Sequence, residues 1–526
     1  MIRKGFVFGL VAASASGLAM FVARAFLGAP TVPEVLMDLA TVLTPLPLFS
    51  FLLETFGHWT KALSVAFLSL LTLLVGGGMG ILWLWGDARL FHRGQEQREV
   101  RPASWRCWGY SLAFAAALWL FAMLVVLPVA KKGPFGSRSG PDVALYWLAY
   151  AAVYGGGLAG LTYRRLPWDR PVVEELPSRK ARRRLVRNLG LVIAGAAVAG
   201  AVGRYVWAAI NAPARRRAAM PPEVTPNDVF YTVSKNMTDP RVSSDGWKLT
   251  VEGQVERPIT LSYDDLKRRP SVTQYYTLMC ISNGIGGDLM GNALWKGVPL
   301  RDLLLEAGVK DPESIRKVAL FAADEYYDSI PLDKAMDPAT LIAYEMNGVP
   351  LPDSHGFPAR LLVPGIYGMK NVKWLTSIKL LDRYFIGFWQ EREWSDEAIY
   401  QTMSRIDVPI NEDTYLKDEI GLAGGVAFAG DRGIQRVEVS FDSGDTWVDA
   451  EVKEARSPYS WVLWTKEWVP PGPGDYTIKV RATDGTGQLQ EPTISGPLPW
   501  GITGIHSVNV RIRDYGARGF IEHGQR

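Results

Sequence analysis

Apolar runs of about 20 residues recur from Phe6 to about residue 211, and none occurs beyond Pro221, so the chain divides into a half that a membrane can hold and a half that it cannot. The near-zero mean hydropathy of +0.03 is an average over these two halves. Five stretches, about 5–27, 62–85, 108–130, 142–163 and 189–211, are long enough to cross roughly 30 Å of hydrocarbon as helix. A sixth, 34–56, is different. Its apolar core from Leu39 to Leu53 contains Pro45 and Pro47 and is flanked by Asp38 and Glu54, so it reads as an interfacial or re-entrant hairpin.

Lys and Arg gather on the cytoplasmic side of membrane helices. With five spans and the N-terminus inside, Arg3 and Lys4, the 86–107 loop and the 165–188 loop all fall in the cytoplasm, leaving outside only Lys61, Lys131, Lys132 and Arg138. The half beyond residue 211 is therefore expected on the periplasmic or extracellular face. Before the last span stands Arg182-Arg183-Arg184-Leu185-Val186-Arg187, followed by the Ala/Gly-rich LGLVIAGAAVAGAVG. That pattern resembles a twin-arginine export signal, a route for domains already folded around a cofactor, and equally fits an ordinary basic stop.

Two cysteines, Cys107 and Cys280, fall in different halves, which excludes a disulfide framework, a four-cysteine zinc site and a protein-bound iron–sulfur cluster. A net charge of +4 with no basic block in the second half argues against nucleic acid as a partner. None of the five histidines lies inside a span, and no Cys-x-x-Cys-His occurs, so neither haem nor any other second electron-carrying centre is expected. Acidic residues are missing from the span interiors as well, which counts against a transporter. The spans then serve as an anchor, or as a docking surface for a quinone or a partner subunit.

The expected architecture is multi-domain: an α-helical transmembrane bundle over 1–211, a polar linker over 212–224, a mixed α/β domain over 225–400 and a β-sandwich over 401–526. In the α/β part, short β-rich runs such as WKLTVEG and KVALFAA alternate with helical pieces such as LRDLLLEAG. In the last part RVEVSFDSGDTWVDAEV reads as two alternating strands about a Ser-Gly-Asp turn, and YTIKVRATDG and HSVNVRIRD continue the alternation. About 100 residues of this texture match the size of an immunoglobulin-like module.

Cys280 ends the β-rich run TQYYTLMC and opens a glycine-rich loop. A lone thiol in an oxidising compartment is preserved only if buried or bound, because an exposed thiolate oxidises. A buried inert cysteine is the ordinary alternative. The runs TLMCISNGIGGDLMGNALWKGVPLRDLL, LIAYEMNGVPLPDSHGFPARLLVPGIYGMKNVKWL and GFWQEREW resemble, in order and spacing, the sulfite oxidase family of molybdopterin enzymes, and the strand-rich C-terminal part resembles that family's dimerisation domain.

The resemblance implies that Cys280 is the single protein thiolate on molybdenum, a soft ligand suited to that metal. It implies that His355 and Arg360 hold the pterin and its phosphate, that Asn371, Val372 and Lys373 form a second contact segment, that Ser234, Lys235 and Asn236 form another, and that Asp324 contributes. Arg and Lys both suit an anionic phosphate, the first as a bidentate fork and the second as a point charge. Sulfite oxidases read Cys-x-x-Asn-Arg-Arg where this chain reads Cys280-Ile281-Ser282-Asn283-Gly284-Ile285, so the second arginine, which helps bind sulfite, is replaced by Ile285. Trp394 stands where the family has an active-site tyrosine, and Arg392 is the nearby charge in a position to compensate.

These readings lead to a membrane-anchored molybdenum-molybdopterin oxidoreductase, performing two-electron oxygen-atom transfer on a sulfoxide or a sulfite-like compound. Its partners would be a small-molecule substrate, a separate cytochrome or quinone-linked electron carrier and a second copy of the chain. The alternative is a metal-free, membrane-tethered binding or assembly protein that keeps the fold, with Cys280 merely buried.

Overall fold

The computed structural model describes residues 2–27, 31–45, 48–49, 51–52, 59–91, 104–129, 134–136, 142–163, 220–236, 239–417 and 421–514. The 189–211 span and the arginines at 182–184 lie outside the described residues. Two compact units emerge, one of residues 1–39 and 65–217, the other of 40–64 and 218–526.

The first unit is helical. The helices are α1 (Ile2–Leu27), α2 (Val32–Leu43), α3 (Trp59–Phe91), α4 (Ser104–Phe121, continuing through a wider turn at Ala122–Val126 to Val129) and α5 (Asp142–Tyr163). Four segments, Ile2–Arg24, Leu63–Asp87, Trp108–Val129 and Val143–Leu161, are long and apolar enough to cross a membrane. At 12 residues α2 rises only about 18 Å, short of a bilayer's hydrocarbon core. Glycines let α1 and α3 approach closely, since a Cβ on Gly9 would fall 2.3 Å from the Gly76 carbonyl oxygen.

The α/β part of the second unit holds two sheets. One has the order β2-β1-β10-β5-β6, from β1 (Lys248–Gly253), β2 (Ile259–Ser262), β5 (Lys317–Ala322), β6 (Tyr327–Ile330) and β10 (Leu375–Leu381). The other runs β3-β4-β7-β8, with β9 (Arg360–Leu362) also on β7; its members are β3 (Val272–Met279), β4 (Met290–Pro299), β7 (Leu341–Met346) and β8 (Val349–Pro350). Three short helices, α6 (Tyr263–Lys267), α7 (Leu300–Ala307) and α8 (Leu332–Met336), connect them. α6 starts at a reciprocal capping box, in which the Ser262 hydroxyl accepts from the Asp265 amide and the Asp265 carboxylate accepts from the Ser262 amide. In α7 the buried residues Leu300, Leu303, Leu304 and Ala307 follow the i, i+3, i+4, i+7 spacing of one helix face, and Gly308 ends the helix at φ +71°. Leu304 is fully buried in the same core as Leu249, Val251 and Ile378, a setting in which truncation to alanine costs about 2–5 kcal/mol.

The C-terminal part is rich in β-structure, again as two sheets. The first has the order β11-β13-β17-β16, from β11 (Met403–Val408), β13 (Leu422–Phe428), β16 (Glu451–Val452) and β17 (Val462–Glu467). The second has the order β12-β19-β18-β14-β15, from β12 (Asp413–Leu416), β14 (Ile434–Ser440), β15 (Val448–Asp449), β18 (Gly474–Asp484) and β19 (His506–Arg513). Both contribute to one core, with Ala423, Ala427 and Trp464 from the first and Val439, Val480 and Val510 from the second. Along β19 the buried residues alternate as Val508, Val510 and Ile512, the period of a strand with one covered face. The turn expected between β14 and β15 is present, with Ser443 and Gly444 at φ +66° and +104° and the Asp442 carboxylate accepting from the Thr446 amide.

Candidate active site

Cys280 is the first residue beyond β3. The Met279–Met290 pair is the last rung of the β3–β4 hairpin, and the Cys280 amide adds one bond to the Leu289 carbonyl at 3.0 Å. Two turns then close the loop, through Asn283 N–H to the Cys280 carbonyl at 3.0 Å and Gly287 N–H to the Gly284 carbonyl at 2.8 Å. Asn283 fills its centre, with Oδ1 accepting from the Leu289 amide at 2.8 Å. A Cβ on Gly287 would fall 2.5 Å from that oxygen, so the loop closes only around glycine there.

The Cys280 thiol is buried, and its Sγ lies 3.1 Å from the Ser282 hydroxyl. Burial raises its pKa and the Ser282 hydrogen bond only partly offsets this, so the lone group is a neutral thiol that a metal would convert to thiolate. Four tyrosines from distant segments, Tyr231, Tyr326, Tyr367 and Tyr400, surround it closely enough to interact electrostatically, each with its own pKa raised by burial. The Met279 amide donates to Tyr400 Oη at 3.3 Å, and the Tyr367 and Tyr400 rings meet edge to face at 4.8 Å. The sequence singles out none of these tyrosines, because their convergence is purely tertiary.

His355, Arg360, Asn371, Val372 and Lys373 come together on one side. His355 Nε2 lies 3.0 Å from the Asn227 carbonyl, which can only accept, so this nitrogen carries the proton and Nδ1 is left as an acceptor. Burial, reinforced by Arg360 and Lys373, pushes its pKa down to about 4 despite the opposing bond to Asn227. Arg360 donates to the His355 carbonyl at 3.2 Å and the Asn371 carbonyl at 3.1 Å, with its guanidinium 5.2 Å over the Trp295 ring. Its buried Nε has no partner, and among the described residues no carboxylate pairs with it. Burial alone pushes its pKa down to about 10. The Asn371 side chain is committed to the chain, accepting from Val363 N–H at 2.7 Å and donating to the Ile366 and Tyr367 carbonyls. Val372 is buried and takes the Leu361 amide at 2.8 Å, while Lys373 donates to the Ser354 carbonyl at 3.0 Å.

Ser234, Lys235, Asn236 and Asp324 also meet. Asn236 Nδ2 donates to Asp324 at 2.7 Å, the Ser234 hydroxyl accepts from the Asn236 amide at 3.2 Å, and the Lys235 ammonium lies 4.0 Å from Asp324. Asp324 in turn takes the Tyr326 amide at 3.1 Å, which ties this cluster to the tyrosines about Cys280. Behind it an ionic chain that the sequence did not signal runs from the buried interior to the surface: Tyr326 Oη to Asp328 at 3.0 Å, Lys370 to Asp328 and to the half-exposed Asp396 at 2.9 Å each, and Lys317 to Asp396 at 2.6 Å.

Trp394 is nearly buried and stacks on Trp389 at 4.2 Å. The Arg392 guanidinium sits 3.7 Å over the Phe388 ring and donates to the Phe388 carbonyl. The cavity that reaches Cys280 is lined by neither. Its walls are Asn283 and Ile285 of the loop, Tyr367, and Gln401, Ser404 and Ile502 from the C-terminal part, with no charged side chain among its lining residues.

The oxidoreductase molybdopterin binding domain family matches residues 236–389, and the Mo-co oxidoreductase dimerisation domain family matches residues 398–512. The chain is 31% identical to the mitochondrial sulfite oxidase of Homo sapiens over 349 residues, 57% of this chain and 64% of that protein. It therefore spans just under two thirds of that relative's length. To the sulfite oxidase of Gallus gallus it is 30% identical over 332 residues, 54% of this chain and 71% of the relative. Among solved structures, the sulfane dehydrogenase SoxCD from Paracoccus pantotrophus superimposes with a TM-score of 0.50 at 26% identity, over 56% of this chain and 82% of that one. With both domains in family order and the buried Cys280 thiol inside the first of them, the chain belongs to the sulfite oxidase family of molybdopterin-dependent oxidoreductases.

Proposed function

We propose that this protein is a membrane-anchored molybdenum-molybdopterin oxidoreductase that performs two-electron oxygen-atom transfer on the extracytoplasmic face, on an uncharged substrate such as a sulfoxide in preference to the sulfite anion. The observation that carries the reading is the pairing of a single buried thiol, Cys280, with a buried arginine, Arg360, that has no carboxylate partner among the described residues.

These residues fit the cofactor. A buried guanidinium with an orphaned Nε is costly unless an anion completes it, and a pterin phosphate is such an anion. At Gly368 a Cβ would fall 2.9 Å from Tyr231 Oη and 3.3 Å from the Met279 carbonyl, so only a bare backbone lets this segment pack against the tyrosine beside Cys280. When bound, molybdenum-molybdopterin supplies a metal that exchanges two electrons and an oxygen atom with substrate. Cys280 would hold the metal, while Arg360 and Lys373 would neutralise the phosphate and His355 Nδ1 would accept a hydrogen bond from the pterin. Asn371 and Val372 would act through the backbone, and Ser234, Lys235, Asn236 and Asp324 would close the opposite side. Arg392, over the Phe388 ring, and Trp394, stacked on Trp389, would act from outside the lining of the Cys280 cavity.

Ile285 in place of the family's arginine, with no charged side chain among the residues lining the small opening at Cys280, supports a neutral substrate over a sulfite dianion. Four long apolar helices support the anchor, and the C-terminal sheets fit an immunoglobulin-like sandwich through which two copies would pair. Electrons would pass to or from a separate cytochrome or quinone-linked partner. The test is metal analysis of the full chain purified from cells supplied with molybdate. One molybdenum per chain, lost in Cys280→Ala, is expected, and its absence from the unaltered protein would sink the proposal. Reoxidation of the reduced metal by dimethyl sulfoxide, compared with its reduction by sulfite, separates the two substrate classes.

A further inference from the structure

The C-terminal part does more at this site than supply cavity wall. Arg405, on β11, reaches out of its own sheet and donates from Nη1 to the Gly287 carbonyl at 2.7 Å, a contact 118 residues apart in sequence, while Nε donates to Asp407 at 3.1 Å. The Arg405 side chain is only 6% exposed and that of Asp407 11%, so this ion pair is screened from water and geometrically fixed. One residue along β11, the Ile406 amide donates to His506 Nδ1 at 2.9 Å, and the opposite edge of that ring lies against Gly286, where a Cβ would fall 2.2 Å from Nε2. Ile285 meets Gly504 from the same side, where a Cβ would fall 2.7 Å from Ile285 Cδ1. Three successive residues of the loop that begins at Cys280 are thus gripped by the C-terminal domain. Intrinsic propensity cannot hold such a glycine-rich segment, since glycine leaves the backbone more freedom than any other residue.

We propose that Arg405, oriented by Asp407, is a positioning residue of the active site: it fixes residues 283–287 as one wall of the Cys280 cavity and keeps its own charge turned away from that cavity. The idea rests on the oxidoreductase reading for its kinetic consequence, but not for its structural one. Releasing the loop would leave Cys280 in place, since its hairpin bonds lie on the other side, while the cavity wall loses definition.

The experiment compares the full-length, molybdenum-loaded protein with Arg405→Gln, Arg405→Lys and Asp407→Asn by amide hydrogen exchange, metal content and steady-state kinetics with dimethyl sulfoxide. For Arg405→Gln, exchange at 283–289 should accelerate at least tenfold with β13 and β17 unchanged. KM should rise more than kcat falls, and molybdenum should stay bound. Arg405→Lys, with one reach instead of two, should recover part of the protection, and Asp407→Asn should fall between. Unchanged loop exchange in Arg405→Gln, or acceleration spread equally over β13 and β17, would overturn the proposal. Should the unaltered protein not turn over dimethyl sulfoxide, the substrate reading fails while the exchange result still decides the role of Arg405.

Discussion

The Lys370 ammonium donates to Asp328 Oδ1 at 2.9 Å with the two side chains 1% and 0% exposed, so a full ion pair is sealed into the α/β core. Its hydrogen bonds are complete. Lys370 also reaches the Ser329 carbonyl and Asp396, and Asp328 takes the Tyr326 hydroxyl and the Ser329 amide. Removing Lys370 leaves Asp328 buried without a counter-charge, which costs about 3–5 kcal/mol, whereas replacing both with apolar residues of similar volume is often close to neutral. Lys370→Met should therefore destabilise the second unit by about that amount, and Lys370→Met with Asp328→Leu should recover most of it, read by urea unfolding. Additive losses would show that packing, not charge compensation, holds this part of the core.

Arg360 predicts an inversion of sign between the two forms of the protein. Without an anion, its buried guanidinium bears a desolvation cost that backbone carbonyls only partly offset, so Arg360→Met should leave the cofactor-free protein as stable or more so. With the phosphate bound, the arginine becomes favourable, and the same change should lower thermal stability and cut cofactor content at least tenfold. Melting curves and molybdenum analysis on both forms check this. A loss of stability in the cofactor-free form would mean that Arg360 is held for packing over Trp295 alone.

Much of the architecture is legible along the chain because its signals are periodic. The spacing in LRDLLLEAG specifies α7, alternation in HSVNVRIRD specifies β19, and the sustained apolar runs mark the helices of the first unit. The site is legible only where its residues sit in contiguous motifs. Cys280, His355 and Arg360 stand in short distinctive runs, and the Ser234-Lys235-Asn236 segment meets Asp324 in space. What stays hidden depends on pairs far apart in sequence, such as Asp328 with Lys370, Arg405 with Gly287, or the tyrosines about Cys280. Each of these residues alone is unremarkable, and only the closed fold brings the partners within a few ångströms.

The uncharged cavity yields a gain-of-function prediction. Ile285 lines it and replaces an arginine of the sulfite oxidase pattern, so Ile285→Arg places a cation beside Cys280. Sulfate should then become a competitive inhibitor, and kcat/KM for sulfite should rise about tenfold or more, roughly 1.4 kcal/mol of added transition-state stabilisation. Because Ile285 packs on Gly504, metal content must be confirmed alongside. An unchanged response to sulfate would show that anion discrimination lies elsewhere.

His506 makes the stability of the domain junction pH-dependent with a definite sign. Burial, reinforced by Arg405, holds its pKa down near 4, against about 6.5 in an unfolded chain. Between those values the unfolded state binds the proton and the folded state does not, so stability is fully present above about pH 6.5 and is lost as pH falls toward 4. The slope is about 1.4 kcal/mol per pH unit for one such group, and His355, also held near 4, contributes a second. His506→Gln keeps an acceptor for the Ile406 amide but cannot titrate, so it should reduce the slope between pH 4.5 and 6.5 by about half while changing little at pH 7.5. Urea midpoints measured across that range check the claim. A slope unaffected by His506→Gln would mean that this imidazole titrates normally in the folded protein, and the close approach of its ring to Gly286 would then have to be looser than the geometry of the loop requires.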